Sequence, residues 1–239
     1  MGFLNNTPKL ATKTLRVLAR LLSYPDPTLR KHLPELRDAL RTEAALSNER
    51  LLELEDLIDW MSAKPGAQQA LDIEEAYVAL FDRGRATSLH LFEHVHGDSR
   101  DRGPAMIDLA QNFEKAGLYL AAGEMPDYLP VVLEYASTQP AGQARAFLNE
   151  MAHIFNAIFA ALQQRDTRYA SVLGALLELA GEKAKAVKVT PDESLDDSWE
   201  EPVVFGGCST KGQANPGQPQ PIHIIRKNAS SNPTTGVSV

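Results

Sequence analysis

Residues 88–100, SLHLFEHVHGDSR, hold three of the six histidines of the chain. His90-x-x-Glu93-His94 is the residue pattern of an inverted zinc-peptidase site. There, two imidazoles one helical turn apart hold a metal and a carboxylate works on the bound water. Glu93-x-x-His96 and Glu150-x-x-His153 also resemble the paired Glu-x-x-His units of di-iron helical bundles. Each reading makes demands on the elements around it. The peptidase reading needs residues 88–96 helical and a third ligand, for which Glu150 or His153 could serve. The di-iron reading needs four long helices with further inward-facing carboxylates. The helix carrying Glu93 and His96 is confined between Gly84 and Gly97, about three turns at most. Met151 and Ile154 lie on a core stripe, which leaves Glu150 and His153 at its edges. Histidines that cap helices or form a polar contact surface fit better, so no metal, no cofactor and no catalytic residue is expected, and a helical metalloenzyme is the alternative.

The elements that must position these residues are helical from residue 8 to about 188. Thr7 and Pro8 supply an N-cap and a first-turn proline. Leu10, Val17, Leu18, Leu21 and Leu22 then share one face opposite Lys9, Lys13, Arg16 and Arg20. Asp26-Pro27 opens a second helix that Pro34 kinks or restarts. Leu51, Leu54, Ile58 and Met61 stripe a helix over 48–62. Asp72 with Glu75 resembles a capping box opening the next. A helix through Met106, Leu109 and Phe113 stops at Gly117, and a short one runs from Asp127 to about Thr138, with Asp127 as its N-cap. Continuous stripes over 141–164 and 168–188 predict the last two. No period-2 pattern or internal repeat is present, so the fold is all-α, a compact bundle of about seven to nine helices over residues 1–189.

The last 50 residues contain five Gly and six Pro. Such a composition cannot bury enough apolar surface to offset ordering entropy, so 190–239 reads as a largely disordered tail with a short apolar island at 199–207. The chain has 239 residues, a net charge of −7 and one cysteine, Cys208. The acidic balance argues against nucleic acid as a partner, and a single cysteine excludes an intramolecular disulfide. No run of about 18 apolar residues exists to span a membrane, and the first residues do not form a signal peptide. These features predict a cytoplasmic protein.

The wider stretch 77–118, YVALFDRGRATSLHLFEHVHGDSRDRGPAMIDLAQNFEKAGL, resembles the signature of the respiratory nitrate reductase assembly chaperones. These delta-subunit proteins are a branch of the redox-enzyme maturation chaperones. GEMPDYLPVVLEYAS (123–137) is similar to the family's Glu-x-Pro-Asp-Tyr-Leu-Pro element, with Met125 where leucine is expected. The likeness extends more loosely over 10–188 and to SWEEPVVFGGC in the tail. It implies a monomeric chaperone, not an enzyme. Such a chaperone binds the apo alpha subunit of nitrate reductase through its N-terminal segment and keeps it competent for molybdenum cofactor insertion. Molybdenum cofactor biosynthesis proteins are implied as further partners.

A client leader that folds on binding presents an apolar face flanked by basic groups. The expected counterpart is an apolar trough lined by Leu91, Phe92, Pro126, Tyr128, Leu129 and Val132, with Glu124, Asp127 and Glu134 at its rim. Asp82, Arg83 and Arg85, in a glycine-containing turn, either tie two helices together or touch the client. His94 and His96 supply polar contacts beside them.

Overall fold

The computed structural model describes residues 11–62, 67–97 and 99–185. The tail with its 199–207 island, and the start with Thr7 and Pro8, lie outside the described residues. Among the described residues the chain folds as eleven α-helices and one 3-10 turn, with a single isolated bridge between His90 and Tyr128. The expected all-α bundle is present. The helix number exceeds the expected one because two apolar stripes each span a break.

The first break follows from local chemistry. Asp26 accepts from the Leu29 amide at 2.6 Å and caps α2 (Pro27–Lys31), and Pro34 restarts the chain as α3 (Leu33–Glu43) after His32. The second falls at Met151, which separates α9 (Ala141–Glu150) from α10 (Ala152–Gln164). Both halves bury the same side, Leu148 from α9 and Phe155 and Ile158 from α10, so the periodicity runs through the break unmarked.

The centre of the domain is α11 (Ala170–Ala180), apolar all round and with eight of its residues buried, as expected of a helix enclosed by others. It packs on α4 (Asn48–Ser62), α9 and α10. It ends at Gly181, whose φ of +82° suits glycine, earlier than the 188 expected from the stripe. α5 (Ala67–Phe81) starts ahead of Asp72, so that residue lies inside the helix and opens nothing. α1 (Thr12–Leu21) buries Leu15, Val17, Leu18 and Leu21 along α8 (Leu129–Thr138). Between these lie α6 (Leu91–Val95) and α7 (Arg102–Lys115), the latter with only Phe113 buried. α7 is followed by Gly117 at φ +78°. No helix among the described residues is long and apolar enough to cross a membrane.

Candidate functional site

The histidine segment is organised by one buried carboxylate. Asp127 is fully buried, and its Oδ2 accepts from the Phe92 amide at 3.2 Å while its Oδ1 lies 3.3 Å from His90 Nδ1. It therefore caps α6, a helix 35 residues earlier, and not the helix that follows it; α8 begins after Tyr128. Backbone bonds close the same junction, Leu91 N to Asp127 O at 3.0 Å and Leu129 N to Leu89 O at 2.8 Å. Arg102, at the start of α7, reaches Glu93 at 3.5 Å and Asp127 at 3.7 Å. The Asp127 hydrogen bond holds the His90 imidazolium above its usual pKa, with the Asp127 and Glu93 charges adding to this against partial desolvation and Arg102.

This arrangement removes the premise of the peptidase reading. His90 is extended (φ −87°, ψ 103°) ahead of α6, so it and His94 do not stand one helical turn apart. His94 Nε2 faces the Ser88 carbonyl at 2.8 Å, and His153 Nδ1 faces the Glu150 carbonyl at 3.1 Å. Among the described residues no three His, Cys, Asp or Glu side chains are gathered as a metal site would need.

Two concavities meet at Tyr128. The smaller, about 270 Å³, is a polar cleft lined by Asp82, Ser88, His90, Glu93, Tyr77 and Tyr128. Its base is set by Tyr77, whose hydroxyl donates to the Leu22 carbonyl at 2.8 Å and lies 3.3 Å from the Tyr128 hydroxyl. The larger, about 520 Å³, is a groove between α1, α8 and the chain from Phe113 to Glu124. Its apolar surface comes from Phe113, Leu118, Pro130, Val131 and the rings of Tyr119, Tyr128 and Tyr135. Glu124 and Glu134 stand on its rim, and so do Arg16 and Arg20 of α1. Glu124 is also tied down, accepting from the Ala121 amide at 2.9 Å.

The structure separates the residues singled out in the sequence. Glu124, Tyr128 and Glu134 line the groove, whereas Leu91, Leu129 and Val132 are core side chains at 1%, 0% and 0% exposure. The residues of α8 that face the groove are Val131 and Tyr135, neighbours of those expected. Pro126 and Asp127 are buried beneath the junction. Phe92, His94 and His96 are half-buried on α6 and its end, with the Phe92 and His96 rings 5.4 Å apart edge to face. Asp82 opens on the polar cleft, Arg83 is exposed, and Arg85 starts the 3-10 turn Arg85–Thr87. That turn is clamped by Gly84, where a Cβ would lie 2.5 Å from Thr87 Oγ1 and 2.7 Å from the Leu80 carbonyl. Sequence reasoning missed Arg16, Arg20 and Tyr119. The first two read as solvent-facing charge on α1, and only the α1–α8 pairing turns them toward a groove.

The family model for the nitrate reductase delta subunit matches residues 24–174. The chain belongs to the nitrate reductase delta-subunit family. It is similar to the nitrate reductase molybdenum cofactor assembly chaperone NarJ of Escherichia coli (strain K12), with 42% identity over 201 residues, 80% of this chain and 83% of that protein. The probable nitrate reductase molybdenum cofactor assembly chaperone NarW of the same strain is 38% identical over 200 residues, 80% of this chain and 82% of that one. A probable nitrate reductase molybdenum cofactor assembly chaperone NarJ of Bacillus subtilis (strain 168) is 29% identical over 164 residues, 69% of this chain and 86% of the relative. The matched span of this delta-subunit family member includes α8, the start of α11 and the whole Asp127 junction.

Proposed function

We propose that this protein is a dedicated chaperone for a respiratory nitrate reductase. It binds the apo catalytic alpha subunit in the cytoplasm, through that subunit's N-terminal segment, and holds it competent for molybdenum cofactor insertion and membrane assembly. It acts as a monomer, catalyses no covalent step and is absent from the finished enzyme. Molybdenum cofactor biosynthesis proteins meet the client while it is held. The observation that carries this reading is the extent of the likeness: assembly chaperones align with about four-fifths of the chain at up to 42% identity.

The groove suits the task physically. From Pro130 to Thr138, α8 offers about 12 Å of surface, at about 1.5 Å per residue, or roughly two helical turns. Its Tyr and Val surface gives an amphipathic client helix something apolar to cover, and Glu124 and Glu134 meet basic flanking residues by charge-assisted hydrogen bonds. Phe92, His94 and His96, with Asp82, Arg83 and Arg85, extend the contact face beyond Tyr128. Leu91, Pro126, Asp127, Leu129 and Val132 support that face from the core.

Co-purification with the catalytic subunit tests the reading. A tagged chain should retain the full-length apo subunit and fail to retain one that lacks its N-terminal segment. Tyr119→Ala, at a residue 80% exposed, should weaken retention without changing the melting temperature. Equal retention of both client forms would overturn binding through the segment, and retention of neither would overturn the chaperone role.

A further inference from the structure

The groove carries a basic rim that recognition of a purely cationic segment does not require. Arg16 and Arg20 are one helical turn apart on α1, both exposed, while Val17, Leu18 and Ala19 between them are buried. Several of the described arginines pair with carboxylates, as in Arg30–Glu74, Arg50–Glu53 and Arg168–Asp56. Arg16 and Arg20 have no such partner among the described residues, although Glu124 and Glu134 line the same groove. Arg16 is nonetheless held in place. Its Nε donates to the Ser137 hydroxyl at 3.1 Å, and that hydroxyl, on a buried residue, donates to the Glu134 carbonyl at 2.6 Å. Among the described residues the two terminal amines of Arg16 have no partner, and Arg20 beside it has none either.

A guanidinium oriented through Nε, with its other donors free, is arranged to take a carboxylate in a two-pronged contact. We infer that Arg16 and Arg20 read an acidic side chain on the client segment, so that the groove takes a segment with an acidic flank toward α1 and a basic flank toward Glu124 and Glu134. This rests on the groove being the client site. It adds polarity: cations on α1 and carboxylates at Glu124 and Glu134 fix which way round the segment lies and disfavour a segment basic on both sides.

The sign of one measurement separates this from recognition of positive charge alone. The probe is a synthetic peptide with the sequence of the cognate catalytic subunit's N-terminal segment, titrated calorimetrically into the full chain. With an acidic flank read by α1, the Arg16→Gln/Arg20→Gln double variant binds about tenfold more weakly. A peptide whose acids are replaced by their amides loses a similar factor with the unaltered chain and little more with the double variant. Arg20→Gln breaks no side-chain bond among the described residues and carries the test if the double variant melts early; Arg20→Lys should keep most of the affinity. Tighter or unchanged binding by the arginine variants overturns the inference, because cations facing a wholly basic segment only repel it. So does a client segment with no acidic residue. Failure of the unaltered chain to bind the peptide overturns the groove reading and the inference with it.

Discussion

Replacing Asp127 by alanine removes an acceptor from the most connected buried position of the α6–α8 junction. The Phe92 amide, 3.2 Å from Oδ2, loses its partner at the first turn of α6. An N-capping acceptor is worth about 0.5–2 kcal/mol, and a donor left unsatisfied costs about 1–3 kcal/mol; these describe one loss and are not summed. The His90 contact at 3.3 Å adds about 0.5 kcal/mol, a small value because the imidazole is 36% exposed and screened by water. The expected destabilisation of Asp127→Ala is thus about 2–3 kcal/mol, which for a domain of this size lowers Tm by roughly 4–12 °C. Asp127→Asn keeps an oxygen for the Phe92 amide and should cost about 1 kcal/mol or less. Urea unfolding followed by circular dichroism measures both, with an unchanged slope confirming that the unfolding transition is the same. Asp127→Ala within about 0.5 kcal/mol of the unaltered protein would refute the capping account. Loss of client binding at unchanged stability would move Asp127 into the contact surface.

Three further outcomes follow from the packing. Gly84→Ala should destabilise by about 1–3 kcal/mol in the same assay, because the added methyl meets Leu80 O at 2.7 Å and Arg165 Nη1 at 2.6 Å. Tyr169→Phe should be neutral or stabilising by up to about 1 kcal/mol, since its buried hydroxyl has no hydrogen-bond partner among the described residues; a larger loss would mean the hydroxyl is paired. The His90 pKa is raised in the fold, so its contribution is full below the ordinary histidine value of about 6.5 and is lost as pH rises through the raised one. His90→Gln should therefore flatten the urea midpoint against pH across that window, and an unchanged profile would contradict the pairing.

The sequence is most legible where one helix buries one face. The 48–62 stripe emerges as Asn48–Ser62, and Gly117 sits just past the end of α7 in the left-handed region that glycine favours. Legibility fails where local patterns are shared by different structures. Asp72-x-x-Glu75 is a capping box at a helix start, but in α5 the same spacing is simply two solvent-side positions one turn apart. Asp127 reads correctly as a cap, but its helix is 35 residues away in sequence, and no local pattern can say so. Val132 and Val131 are equally apolar, and only the placement of α1 decides that the first is core and the second faces the groove. The family resemblance points to residues 77–137 as the important region, while the basic rim depends on α1, far outside it.

The central claim is that this chain makes a nitrate reductase catalytic subunit competent for its cofactor, and molybdenum content reports on that most directly. The catalytic subunit is purified from cells with and without this chain, and its metal is measured per mole of protein. The account predicts near-complete loading with the chain present, and accumulation of soluble, molybdenum-poor subunit when it is absent or lacks the groove's apolar and charged lining. Equal loading in both cells would contradict it.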